Sequence, residues 1–132
     1  MNTTMNHDSA TVPVDIETAR AIVRLLLGPD DAPELLPPAP SEVGTLTTLL
    51  RGQLALLIPE VEAKASRLSK QSIPRYCALA CIGEAVRKLR LGDGDTPAVR
   101  VAVARKLARS AKALCDHYDK LDGGAASQSK SR

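Results

Sequence analysis

The chain has no phenylalanine and no tryptophan, and only two tyrosines, Tyr76 and Tyr118, in 132 residues. Platforms for stacking unpaired bases are therefore nearly absent, which argues against a single-strand nucleic-acid binder. Any core must be built from Leu, Val, Ile and Ala, a composition suited to close helix packing. No apolar run approaches the roughly 20 residues that span a bilayer, so no membrane partner is expected; LALLI, residues 54–58, is representative. The opening MNTTMNHDSATVPVD lacks a basic stretch followed by an apolar one, so nothing marks it for export and a cytoplasmic protein is expected. Cysteine is sparse and odd in number, at positions 77, 81 and 115, which in a reducing compartment predicts free thiols over a disulfide framework.

Catalytic and cofactor signals are missing as well. No glycine-rich phosphate loop occurs, and neither His7 nor His117 has a nucleophile and a carboxylate at recognisable spacing. Gly92-Asp93-Gly94-Asp95 looks like a fragment of a calcium loop, but the remaining ligands and the closing glutamate are absent, so it reads as a turn. No catalytic residue, metal ligand or cofactor is assigned.

What is present is helical periodicity. At this length and 44% hydrophobic content the chain makes one modest core. A first helix, about 15–27, starts at the N-cap Asp15, carries Ile16, Ala19, Val23 and Leu26 on one side, and stops at Gly28-Pro29. GPDDAPELLPPAP, residues 28–40, holds five prolines in thirteen positions and is an extended connector. A second helix, about 41–69, aligns Val43, Leu46, Leu50, Leu54, Leu57, Val61 and Leu68 within about 60° of arc. That stripe passes Pro59 without losing phase, so one helix kinked there is expected, with two helices meeting there as the alternative. A third, about 73–91, opens on Ser72-Ile73-Pro74 and a fourth, about 96–121, on Thr96-Pro97, each with proline in the first turn. Residues 1–14 form a disordered head and 122–132 a polar, disordered tail. The expected architecture is all-α: a single antiparallel four-helix bundle over residues 15–121, with the Pro-rich crossing between helices 1 and 2.

The third helix, IPRYCALACIGEAVRKLRLG, begins apolar nearly all round and ends with a wet side of Arg87, Lys88 and Arg90. Its first half is therefore expected to be central. Leu79, Ile82, Val86 and Leu89 make its main stripe, and Cys77 and Cys81 lie off it. Antiparallel packing would bring them beside Cys115 and His117, suggesting a Cys/Cys/Cys/His zinc site. Positions 115 and 117 diverge around a helix axis, however, so the thiols are expected to be packing residues.

Charge is the strongest asymmetry. Residues 1–63 hold nine acids against three bases, and residues 64–112 hold twelve bases against three acids. On the fourth helix Arg105, Arg109 and Lys112 line one side; with Lys88 they form the candidate face for an anionic partner. No group of Asn, Gln or Arg marks a helix as a reader of base edges, so nucleic acid is the disfavoured partner.

The stretches LRGQLALLIPEVE, IPRYCALACIGEAVRKLR and ALCDHYDKL resemble a family of small, uncharacterised actinobacterial helical proteins, often labelled as associated with natural-product biosynthesis. The resemblance runs from about Thr45 to Leu121 and implies no catalytic residue. The sequence thus points to a non-catalytic accessory or regulatory protein that binds an acidic protein or a second copy of itself. The first alternative is a small-molecule carrier or sensor with an apolar pocket lined by Cys77, Cys81, Cys115 and Tyr118. The second is a DNA-binding regulator using the basic row.

Overall fold

The structure, a computed structural model, describes the backbone of residues 14–28 and 36–131 and the side chains of those residues up to Asp122. The expected head up to residue 13 and the middle of the connector, residues 29–35, lie outside it. Four helices make up the fold: α1 (Ile16–Leu27), α2 (Pro40–Ser66), α3 (Ile73–Leu89) and α4 (Pro97–Ser131), with no strand among the described residues.

Local chemistry sets their ends. Asp15 caps α1, its carboxylate accepting from the Thr18 amide at 3.0 Å and the Thr18 hydroxyl at 2.6 Å. Gly28 ends α1 with φ of 75°, donating its N–H to Arg24 O at 2.9 Å. The Ser72 hydroxyl accepts from the Arg75 amide at the start of α3, and the Thr96 hydroxyl accepts from the Val99 amide at the start of α4. In the α3–α4 turn Gly94 sits at φ of 104°, and a Cβ there would lie 2.6 Å from Val99 Cγ1, so only glycine fits.

α2 continues unbroken through Pro59 as one helix, which removes the two-helix alternative. Leu50, Leu54, Leu57 and Val61 flank that proline on the buried side with no exposed area, each buried leucine contributing about 1.5–3 kcal/mol against the cost of the missing N–H. α4 also passes the point where a polar tail was expected, its backbone helix reaching Ser131. Extending an existing helix costs far less than nucleating one, and no proline interrupts residues 122–131.

Cross-helix bonds fix the directions. Arg20, early in α1, reaches Asp116 and Asp119 past the middle of α4, whereas Arg105, nearer the start of α4, donates Nε–H to Leu26 O late in α1, so α1 and α4 are antiparallel. Lys64, late in α2, pairs with Asp122 and lies 4.1 Å over the Tyr118 ring, so α2 and α4 run parallel. Arg51 of α2 donates to Leu89 O and Leu91 O at the end of α3, and Arg75 of α3 donates to Ser66 O and Leu68 O at the end of α2. This reciprocal capping satisfies the last carbonyls of both antiparallel neighbours.

The bundle is therefore up-down-up-down, with α2 and α4 touching along a filled diagonal and α1 and α3 on opposite flanks without contact between them. Leu50, Leu54 and Leu57 from α2 and Leu107, Ala111 and Leu114 from α4 form the middle. The expectation that the first half of α3 is central is corrected. α3 buries Ala78, Ile82 and Ala85, while Leu79, Val86 and Leu89 are only partly covered and Ile73 and Tyr76 stand in solvent. The longer stripes of α2 and α4 pair with each other, leaving α3 an edge position that accepts a small-residue stripe.

Candidate functional site

Among the described residues, the two most exposed large hydrophobic side chains on helices lie on the outer side of α3. Ile73 and Tyr76, each 74% exposed, are followed by exposed Cys77 and Ala80 at the helical spacing that puts all four on one side. Pro74 sits beside them in the first turn, and Ser72 fixes the start of the helix, so this surface is carried on a rigid element. Exposed Arg67 and Lys70 stand in the α2–α3 turn immediately before it. Arg75 is held back from this edge by its two carbonyl bonds, and Arg87 farther along pairs with Glu84 at 2.7 Å.

The candidate pocket residues stand at three different depths. Cys77 is exposed, Cys81 half-buried and Cys115 fully buried. Burial pushes the Cys115 thiol up to about 11 despite the opposing field of Arg20. The Cys81 thiol is raised too, again chiefly by burial, with Lys88 pulling it the other way. Cys115 belongs with Ala104, Ala108 and Ala111, a small-residue side of α4 that is wholly covered. Tyr118 is half-buried beneath the Lys64 ammonium. Among the described residues no three His, Cys, Asp or Glu side chains group as a metal-ligand set.

The basic row is divided in the same way. Arg105 is half-buried with its Nε on Leu26 O, Lys112 lies 3.7 Å from Asp116, and Asp116 also receives Arg20. Arg105, Lys112 and Asp116 thus border α1, whereas Lys88 is on α3, across the bundle from it. Arg109 lies exposed between Arg105 and Lys112. Much of the basic surplus is taken up within the fold, by the caps of Arg75 and the cross-helix bonds of Lys64 and Arg105.

The surface missed in the sequence is the α3 edge. Its signal was the run of apolar residues on every side of the first two turns, which is compatible with a central helix and with an edge helix alike.

A family model matches residues 17–123 of the chain, from the first turn of α1 through the described side chains of α4. The chain belongs to the family of unknown function DUF6415. The DUF6415 match takes in α1, which the sequence resemblance from Thr45 onward leaves out, and α1 is the helix that Arg20 and Arg105 fasten to α4. Neither a curated protein nor a solved structure matches the chain. No helix among the described residues is long and apolar enough to cross a membrane.

Proposed function

We propose that this chain is a non-catalytic, protein-binding accessory or regulatory protein that docks an acidic, apolar-faced segment of a partner on the outer side of α3. The observation that supports this reading is the pairing of Ile73 and Tyr76 in solvent on a capped helix with Arg67 and Lys70 beside them. Aromatic and aliphatic anchors with a charged rim are the composition of binding hot spots. The cations select an acidic partner and speed its approach, so affinity falls as salt rises. A link to specialised metabolism is part of the proposal and is supported by the sequence resemblance alone.

A photo-cross-linking amino acid placed at Tyr76 in the producing cells tests it, with Lys106, exposed on α4, as the control position. The expected result is one acidic partner captured from position 76 and not from 106, whose affinity for the purified chain drops at least tenfold in Ile73→Glu with melting temperature unchanged. Equal capture at both positions, or unaltered affinity in Ile73→Glu, contradicts it. A self-cross-link at position 76 that disappears in Ile73→Glu makes a second copy of the chain the occupant instead.

A further inference from the structure

At the end of the bundle opposite the α3 surface, the starts of α2 and α4 meet the end of the connector around a cleft of about 440 Å³. Its walls are Pro37, Pro38, Pro40 and Pro97, closed by Val43 and Val101. Val43 is buried and Val101 half-buried, so the floor belongs to the core and is preformed. Proline walls and helix-borne valines have little conformational freedom to lose when a ligand enters.

Two arginines complete the lining. Arg105 is positioned by its Nε bond to Leu26 O, and Arg100 by its Nε bond to Gly94 O at 3.1 Å. The positive-φ glycine of the α3–α4 turn therefore has a second role, since its carbonyl orients Arg100 at the cleft. Because α2 and α4 run parallel, both N-termini, with their partial positive charge, also open here. Apolar walls with a small number of fixed polar groups are the usual make-up of a small-molecule site, and the volume falls within the usual range of about 300–1,000 Å³. Asp93, paired with Arg51, and Glu42 line the clefts on either side. The guanidinium of Arg100 suits a planar carboxylate.

We propose that this cleft binds a small carboxylic acid with a compact apolar body, its carboxylate at Arg100 and its body against the prolines, Val43 and Val101. The ligand has on the order of a dozen non-hydrogen atoms and fits within the cleft with room to spare. This site is independent of the α3 surface, so neither reading depends on the other.

The test is a titration of the ¹⁵N-labelled full chain, followed by amide chemical shifts, with 1-naphthoate, with decanoate, and with 1-naphthylmethanol as the neutral counterpart of the first. The expected result is saturable shifts at Val43, Ala98 and Val101 with at least one acid, and binding of the neutral alcohol at least tenfold weaker than naphthoate. Arg100→Gln, at an exposed position, abolishes the preference for the acid, and Ala98→Trp, which fills the mouth, abolishes binding of acid and alcohol alike. Unchanged melting temperatures show that both variants fold. No saturable shift at the cleft with either acid, shifts scattered over surface lysines, or an alcohol that binds as tightly as naphthoate overturns the proposal.

Discussion

The two flanking helices use their length in opposite ways. α1 has twelve residues and buries five of them, Ala19, Ile22, Val23, Leu26 and Leu27, whereas α3 has seventeen and buries three, two of which are alanines. α1 is also fastened to α4 by the Arg20 fork and by Arg105 on Leu26 O, while polar groups hold α3 mainly at its ends, through Arg51 and Arg75. The difference teaches that helix length does not measure structural weight. α1 is a short staple on the filled α2–α4 diagonal, and α3 is a longer element of which one side serves the core and the other is left for contact.

The largest effect that sharpens this contrast is expected in the cores of the two helices. Leu26→Ala is expected to cost about 3–4 kcal/mol in urea denaturation, because Leu26 is fully buried, and Ile82→Ala on α3 about 2 kcal/mol, at the low end for a large-to-small change. Tyr76→Ala should stay within about 0.5 kcal/mol of wild type, as a surface position does. A cost for Tyr76→Ala equal to that of Ile82→Ala would place the outer side of α3 in the core.

Next is the fork. Arg20→Ala is expected to cost about 1 kcal/mol at low salt and less as ionic strength rises, since Arg20 is only partly covered and both its aspartates are about half-exposed. The Arg20 guanidinium is raised above its ordinary value, foremost by its hydrogen bond to Asp119, so it stays charged throughout and no pH step is expected from its own titration.

Smaller effects come from pH; both have the same sign, stability falling as pH falls, and they act in different ranges. The His117 imidazole is lowered from 6.5, chiefly by burial and then by Lys120. The folded protein thus disfavours the imidazolium, and stability falls as pH drops from about 6.5 toward the folded value. His117→Gln should remove that slope in melting temperature between about pH 7 and pH 5. The Asp15 carboxylate is lowered from 3.8, first by its hydrogen bond from the Thr18 hydroxyl. Its contribution is present above about pH 4 and is lost as pH falls through the depressed value. α3 is capped by Ser72, which does not titrate. Amide hydrogen exchange below pH 4 is therefore expected to rise in the first turn of α1 relative to α3, a difference that Asp15→Asn should abolish.

Much of the architecture was legible because helix ends are written in short-range chemistry: Asp15 with Thr18, Gly28 after Leu27, Ser72 before Pro74, Thr96 before Pro97. The placement of α3 was not. Its alanines, cysteines and glycine are small and apolar on every side, so the pattern carries no strong direction, and the sector turned inward is decided by the long stripes of α2 and α4. The proline-walled cleft was equally hidden, because Pro40 and Arg100 are far apart in sequence and meet only when α2 and α4 start at the same end. Charge misled for a related reason. A basic surplus says nothing about partners 58 or 79 residues away, such as those of Lys64 and Arg105.

The three thiols test the unequal roles of the helices most directly, because they sit at the outer side of α3, at its margin and inside the bundle. In the native protein at pH 7.5, labelling by a disulfide reagent should modify Cys77 at a rate near that of a free thiol, Cys81 more slowly, and Cys115 only on unfolding, its thiol being buried and pushed up to about 11. A native protein in which Cys77 is as protected as Cys115 at every protein concentration, or in which Cys115 reacts as fast as Cys77, would contradict an exposed α3 edge beside a solid core.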